Sequence, residues 1–245
     1  MVNHPTRINK YLSDTGICSR READRLIEQR RVTVNGIVAE TGYKVILGDE
    51  VKLDNKKISR EIDTRIYIAF NKPVGITCTT DTSISGNIID YINYPKRIFH
   101  IGRLDKDSEG LILMTNDGDI VNKILRTSNN HEKEYVVTVN KPLTDEFMQN
   151  MSSGVKILNT ITKPCTVTKK SKHVFKIILT QGLNRQIRRM CAFLGYNVTK
   201  LKRIRIMNIH LGDLPVGKWR YLSVTELDHL NSLLSSSTNT EEASW

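Results

Sequence analysis

The sequence lacks the features of a metal-binding, secreted or membrane protein. Its four cysteines form no CxxC pair and its six histidines form no HxxxH or HExxH pattern, which argues against a zinc site. No apolar run approaches about 20 residues, the length that spans a bilayer. The first residues lack the apolar stretch of a signal peptide. We therefore expect a cytoplasmic protein with no metal site and no membrane attachment.

Acidic residues are scarce relative to basic ones. The 245 residues include 37 Lys and Arg but 26 Asp and Glu, which gives a formal net charge of +11. This excess favours a polyanionic partner, with nucleic acid as the first candidate and an acidic membrane surface as the second. Hydrophobic residues make up 39% of the chain, enough for a folded core.

Residues 1–60 are predicted to form a small domain. Ser19 and Glu22 match a helix capping box, and apolar residues at helical spacing extend this helix to about Gln29. Asn35-Gly36 predicts a hairpin turn between two strands. The polar residues 54–66 are predicted to form a linker.

A larger domain is predicted over residues 67–232, and residues 233–245 have the composition of a disordered tail. Strands and helices alternate in it without a regular βαβ rhythm, which favours an α+β fold over a doubly wound sheet. The predicted strands are 67–70, 111–115, 133–139, 174–180 and 204–211, and the predicted helices are 119–125, 143–151 and 184–194.

Three acidic residues alternate in the segment Gly102–Gly110, the most informative stretch of the chain. Asp105, Asp107 and Glu109 match the opening of a calcium loop. The twelfth position of that loop is Asn116, however, where calcium binding requires a bidentate glutamate. The three acids also suit Mg²⁺ in an RNA hydrolase, or they lie solvated on a loop.

A later segment, Gln181–Met190, is wholly basic in its charges. Arg185, Arg188 and Arg189 recur at helical spacing on one face, and apolar residues fill the other face. Ordinary surface helices mix charges of both signs, and this one does not. The pattern predicts that its guanidinium groups bind phosphates or carboxylates.

These two segments and Lys133-Glu-Tyr135 resemble the motifs of the RsuA-type family of RNA pseudouridine synthases. Near the N-terminus, the segments that begin at Arg7, Cys18 and Val32 resemble the RNA-binding domain of ribosomal protein S4. The resemblance implies an α+β fold, in which a small S4-like domain precedes a catalytic domain with a largely antiparallel mixed sheet. It also places the site in a basic cleft across that sheet.

Within this family, residues 122–126 and 131–135 are most similar to the synthases of large-subunit (23S) ribosomal RNA. The implied reaction isomerises a specific uridine, held in a stem-loop, to pseudouridine and needs no cofactor. Asp105 would be the nucleophile, acting on a flipped-out base. Tyr135 would stack on the uracil and act as the base in the isomerisation, and Arg188 would pair with Asp105 and orient it.

The residues expected to contact RNA are all basic, and we expect the protein to be a monomer because no heptad pattern or obvious apolar edge indicates otherwise. An arginine row on a helix suits phosphates and RNA shape rather than base reading. The expected set is Arg7, Lys10, Arg20, Arg21, Arg25, Arg103, Arg185 and Arg189.

Two other functions fit the same residues. A non-catalytic protein of ribosome assembly with these modules would bind ribosomal RNA without any chemistry. A metal-dependent RNA hydrolase that uses Asp105, Asp107 and Glu109 would cut RNA and lose its activity on chelation. The intact Gly102–Asp105 motif together with the basic helix favours the synthase over both.

Overall fold

The structure, a computed structural model, describes residues 5–58, 65–126 and 129–235. The chain divides into two compact units. The first is built on the residues up to 65 and includes the short segments 95–97 and 116–118, and the second contains the rest. None of the helices in the described ranges is long and apolar enough to cross a membrane.

The first unit has two helices and a four-stranded antiparallel sheet of order β3-β2-β5-β6, and β1 pairs with β4. The second helix begins where predicted, since the Ser19 side chain accepts a hydrogen bond from the Glu22 backbone N–H at 3.1 Å. The predicted hairpin turn is also confirmed, with φ of 53° at Asn35 and 82° at Gly36. The elements are β1 (Thr6–Arg7), α1 (Ile8–Asp14), α2 (Arg20–Glu28), β2 (Val32–Val34), β3 (Ile37–Val38), β4 (Lys44–Val45), β5 (Val51–Leu53) and β6 (Lys56–Ile58).

Part of the segment predicted as a linker is a strand. Asp54 and Asn55 adopt positive φ values of 48° and 64° and turn the chain from β5 into β6. Because β6 is an edge strand with exposed lysines, its composition resembles that of a connection. Residues 59–64 of the predicted linker lie outside the described residues.

The second unit is built on a nine-stranded sheet of order β13-β14-β10-β15-β9-β7-β17, to which β8 and β16 add at its strands β9 and β15. Its elements are β7 (Tyr67–Lys72), α3 (Ile88–Ile92), β8 (Phe99–Ile101), β9 (Glu109–Thr115), α4 (Gly118–Leu125), β10 (Lys133–Val139), α5 (Asp145–Ser153), β11 (Lys156–Ile157), β12 (Thr160–Ile161), β13 (Thr166–Lys169), β14 (Val174–Leu179), α6 (Gln186–Phe193), β15 (Val198–Ile206), β16 (Ile209–His210), β17 (Trp219–Tyr221) and α7 (Val224–Leu234).

The strand directions confirm the predicted largely antiparallel mixed sheet. Among the described strands of this sheet, β9 and β15 pair in parallel, and the other pairs are antiparallel. The parallel register sets Lys202 opposite Glu109 and Arg203 opposite Gly110. The long crossover between these two strands contains β10 and its neighbours, as a parallel connection requires.

Three hydrophobic clusters fill the second unit. One packs β10, β14 and β15 against α5 and α6, and another packs β7 and β9 against α3. The third lies between the other side of β7 and β9 and the helices α4 and α7. Tyr135 is half-buried and packs against both of the first two clusters, so it lies where they meet.

The predicted strand 204–211 is wrong. β15 ends at Ile206, the chain turns at Met207 with φ of 51°, and β16 starts at Ile209. The apolar residues continue through this turn without a glycine or proline, so their pattern does not show it. The prediction also missed α7, although Ser223 and Glu226 form a complete capping box at its start. The predicted tail starts too early, because α7 continues to Leu234 and the Leu234 side chain packs in the core. Residues 236–245 of this tail lie outside the described residues.

The close approach of β9 to β15 requires a glycine at position 110. A Cβ atom at Gly110 would lie 2.3 Å from the carbonyl oxygen of Arg203, and Gly110 has φ of 110°. We expect Gly110→Ala to lower the free energy of unfolding by about 2–5 kcal/mol through overpacking and backbone strain. Urea unfolding followed by circular dichroism measures this loss.

Gly118→Ala is the matched control, because Gly118 lies in α4 with no heavy atom within 4 Å of the added Cβ. It should leave the stability unchanged or raise it by up to about 1 kcal/mol. Equal stabilities of the two variants would contradict the close approach.

Candidate active site

Asp105 lies on a loop between β8 and β9 whose backbone is held from several sides. Four carbonyl groups of this loop accept hydrogen bonds, so its path is fixed without any ligand. Leu104 adds a fifth contact, because its N–H points to the Cys78 sulfur at 3.4 Å. The four pairs are Arg103 O with Arg203 Nη1 at 3.4 Å, Asp105 O with Ser108 N at 3.0 Å, Lys106 O with Gly75 N at 2.7 Å, and Asp107 O with Arg188 Nη2 at 2.9 Å.

Two arginines of the basic segment contact this loop. Arg185 donates two hydrogen bonds to the Asp107 carboxylate at 3.1 and 2.9 Å and forms an ion pair with Asp105 at 3.4 Å. Arg188 lies 3.4 Å from Asp107 through Nε and donates to the buried hydroxyl of Ser108 at 3.2 Å. Hydrogen bonding to Arg185 lowers the pKa of Asp107, although partial burial opposes this.

The predicted pairing of Arg188 with Asp105 is not found in the structure. Asp105 pairs with Arg185, whereas Arg188 uses its donors on Asp107, Ser108 and the Val198 carbonyl. The reason is that Arg188 lies in the first turn of α6, three residues after Arg185, and its side chain reaches Asp107 and Ser108 at the end of the loop. Asp105 keeps 29% of its side chain exposed, and its second oxygen makes no hydrogen bond with the described residues.

The start of α6 is strained in a way that positions Arg185. Arg185 adopts a left-handed conformation with φ of 49°, which costs about 1–2 kcal/mol for a residue other than glycine. The buried Gln186 side chain holds the preceding loop, accepting from the Leu183 N–H at 3.0 Å. Non-glycine residues in this conformation cluster at functional sites.

Tyr135 lies on β10 directly opposite Arg203 of β15, just after an irregularity in the register. The guanidinium carbon of Arg203 is 6.0 Å from the centre of the Tyr135 ring. Arg203 is 3% exposed, and it also contacts Arg103 in the Asp105 loop. The structure therefore connects the strand of Tyr135 to the loop of Asp105 through Arg203.

Two buried lysines accompany this arginine, and none of the three is among the site residues predicted from the sequence. Lys72 is fully buried at the end of β7 and donates to the Pro73 carbonyl at 2.8 Å. Burial lowers its pKa, and Asp105 and Asp107 partly offset that effect. Lys133 is nearly buried, and burial followed by repulsion from Arg203 lowers its pKa to about 8. The sequence contains one signal for the burial of Lys72, which is its position at the end of an apolar strand.

The remaining candidates of the second unit are exposed. The Arg103 side chain donates no hydrogen bond to any of the described residues. Arg189 donates to Asn184 through Nε and Nη2 at 3.0 and 3.1 Å. Both keep cationic groups available at the surface near the loop and the start of α6.

The basic candidates of the first unit lie in β1, α1 and α2. Arg20 and Arg21 are exposed and make no ion pair with the described residues. Arg25 forms an exposed ion pair with Glu22 at 3.3 Å, and Lys10 pairs with Asp14 at 2.8 Å. Arg7 is exposed in β1.

The acids that the sequence suggested as metal ligands contact cations instead. Asp105 and Asp107 pair with arginines, and Glu109 pairs with Lys200 at 3.4 Å. Within the described ranges, no group of three or more His, Cys, Asp or Glu side chains is arranged to hold a metal ion.

Two family models match the chain. The model of RNA pseudouridylate synthase matches residues 66–193, and the model of the S4 domain matches residues 6–51. A crystal structure of a pseudouridylate synthase has a TM-score of 0.68 and 27% sequence identity, covering 92% of this chain and 99% of that chain.

Curated relatives cover nearly the whole chain. The dual-specificity RNA pseudouridine synthase RluF of Salmonella typhi is 57% identical over 98% of this chain and 83% of its own length, and its Escherichia coli K12 counterpart is 56% identical over 95% and 81%. The ribosomal large subunit pseudouridine synthase B of Bacillus subtilis is 32% identical over 95% and 98%. With its S4 domain followed by the matched synthase domain, the chain belongs to the RNA pseudouridine synthase family.

Proposed function

We propose that this synthase isomerises a uridine of large-subunit (23S) ribosomal RNA, held in a stem-loop, to pseudouridine. The names of its relatives support the substrate, since one relative is a large-subunit synthase by name. The observation that carries the proposal is the hydrogen-bonded loop that presents the partly exposed carboxylate of Asp105 beside Arg185.

Asp105 is the nucleophile in this proposal. The reaction breaks the bond between C1′ and N1, turns the uracil and forms a bond between C1′ and C5. The proton lost from C5 is balanced by one gained at N1, so no redox partner or outside group is consumed. A carboxylate with one oxygen free can attack, and Arg185 lies 3.4 Å from the Asp105 carboxylate as its ion-pair partner.

Tyr135 stacks on the flipped-out uracil and takes the C5 proton. Extruding a base costs a few kcal/mol, and stacking on an aromatic ring returns about 1–3 kcal/mol. The position of Tyr135 supports this role, because contacts with two hydrophobic clusters hold the residue in place while its side chain stays only partly buried.

The S4-like domain docks the enzyme on RNA through its cations. Arg7, Lys10, Arg20, Arg21 and Arg25 contact phosphates in this proposal, with Arg103, Arg185 and Arg189 near the reacting nucleotide. The domain limits proposed are residues 1–60 for the S4-like domain and residue 67 to the end of α7 at Leu234 for the catalytic domain, and the two matched families support these two domains.

A monomer suffices for this reaction, because one chain supplies every group that the proposal uses. The protein acts in the cytoplasm in this proposal, where bacterial ribosomes are assembled. No cofactor is required by the balance of the reaction.

Asp105→Asn should abolish isomerisation while leaving RNA binding intact. The amide has nearly the shape of the carboxylate but is not a nucleophile. The measurement is tritium release from 23S ribosomal RNA labelled with 5-³H-uridine, in EDTA, beside a filter-binding assay.

Release by the wild type alone supports the proposal, and mapping of the modified position then identifies the uridine. Binding by the wild type with no release, from naked RNA and from pre-ribosomal particles alike, would instead support a non-catalytic assembly protein. Strand cleavage that appears only with Mg²⁺ would support a hydrolase.

Tyr135→Phe should bind RNA as the wild type does and release no tritium, because it keeps the ring and loses the hydroxyl. Tyr135→Leu should also weaken binding, by about tenfold to a hundredfold, since it loses the stacking. Single-turnover release and equilibrium binding separate the two effects. Full release by Tyr135→Phe would show that the hydroxyl takes no proton.

Arg21→Gln should weaken RNA binding and flatten its dependence on salt, because Arg21 is exposed with no ion pair to the described residues. The slope of log K against log salt should fall by roughly 0.7–0.9 for one lost phosphate contact. Arg31→Gln is the matched control, as Arg31 is held by Asp54 in a bidentate pair at 2.8 and 2.5 Å. Equal slopes for the two variants would argue against phosphate contact by α2.

A further inference from the structure

Arg203 is a buried cation with no carboxylate partner among the described residues. Its side chain is 3% exposed, and its hydrogen bonds go to backbone carbonyls, from Nε to Leu111 at 2.7 Å and from Nη1 to Arg103 at 3.4 Å. The Nη2 group is buried and has no hydrogen-bond partner in the part of the chain that the structure describes. A charge in this state costs several kcal/mol in folding free energy.

The surroundings of Arg203 raise this cost. Its charge acts on two further buried cations, Lys72 and Lys133, and lowers the pKa of each. An apolar side chain of similar volume would avoid this repulsion and the desolvation as well. Stability alone therefore does not account for an arginine here.

The contacts of Arg203 lie on both sides of the site. On one side, its guanidinium carbon is 6.0 Å from the ring of Tyr135, its direct partner in the sheet. On the other side, it donates to Arg103, two residues before Asp105, and to Leu111 in the strand that follows the loop. Its backbone lies against Gly110, where no Cβ atom fits.

We propose that Arg203 is a positioning residue, which sets the Asp105 loop against the Tyr135 ring. The planar guanidinium reaches two carbonyl groups at once, at Leu111 and Arg103, and its carbon lies 6.0 Å from the centre of the Tyr135 ring. An ammonium group carries the same charge, but it lacks the fixed fork that spans both carbonyls. The geometry of the guanidinium, rather than its charge, is what the site requires.

This proposal rests on the proposed roles of Asp105 and Tyr135. It differs from a purely structural role in what it predicts for two quantities, the reaction rate of the bound complex and the affinity for RNA. A positioning residue changes the rate of the bound complex, because a displacement of about 1 Å costs about 100-fold in rate. It leaves RNA affinity nearly unchanged, because the docking cations lie elsewhere.

The test compares Arg203→Lys, which keeps the charge, with Arg203→Met, which removes it. Both should bind 23S RNA within about threefold of the wild type. Both should release tritium about 100-fold more slowly in single turnover at saturating enzyme. Lys202→Met is the matched control, since Lys202 is the neighbouring cation on β15 and has no ion pair among the described residues. It should react at the wild-type rate.

A titration of labelled lysines by NMR provides a second readout. Burial is the main cause of the lowered Lys133 pKa and remains in both variants, but Arg203→Met should raise this pKa above about 8 by removing the repulsion, whereas Arg203→Lys should leave it unchanged. The difference in the Lys133 pKa between the two variants separates the loss of the Arg203 charge from the loss of the guanidinium geometry in folded protein.

Three results would overturn the proposal. A wild-type rate in Arg203→Lys would show that charge alone is needed. Unfolding of both variants at the assay temperature would show that the residue is structural. Absence of tritium release by the wild-type protein would contradict the proposed function itself. Failure of the proposed function is thereby distinguished from failure of the proposed role of Arg203, in which the wild type still releases tritium.

Discussion

The contact between β9 and β15 is the constraint on which the site depends. These parallel strands approach closely enough at Gly110 and Arg203 to exclude a Cβ atom. β9 continues directly from the Asp105 loop, and β15 pairs on its other edge with β10, which carries Tyr135. One close approach thereby brings together residues that are far apart in the chain.

The two arginines of the site contact Asp107 and Asp105 unequally. Asp107 receives the bidentate pair from Arg185 and a further contact from Arg188, while Asp105 receives one longer ion pair. The Asp107 carboxylate thus takes both of the side-chain hydrogen bonds that Arg185 donates. Asp105 is left with cationic surroundings and an oxygen that makes no hydrogen bond with the described residues.

The sequence was sufficient for the α+β class, for the helix that Ser19 caps and for the meeting of the acidic and basic segments. It was insufficient for the choice of partners, because Arg185 and Arg188 share a helix face and spacing does not say which one reaches Asp105. Lys72 and Arg203 were missed for a different reason. Burial of a cation depends on strands distant in the chain, and local patterns describe lysine and arginine as surface residues.

The hydrogen bonds on the backbone of the Asp105 loop have a consequence for substrate choice. The carbonyl groups of this loop already accept hydrogen bonds within the chain. A rearrangement of the loop on RNA binding would break these hydrogen bonds. The distortion needed to bring a uridine to the carboxylate then falls on the nucleic acid. The proposed enzyme would thus discriminate among uridines by how easily each local RNA structure deforms, which is a form of indirect readout.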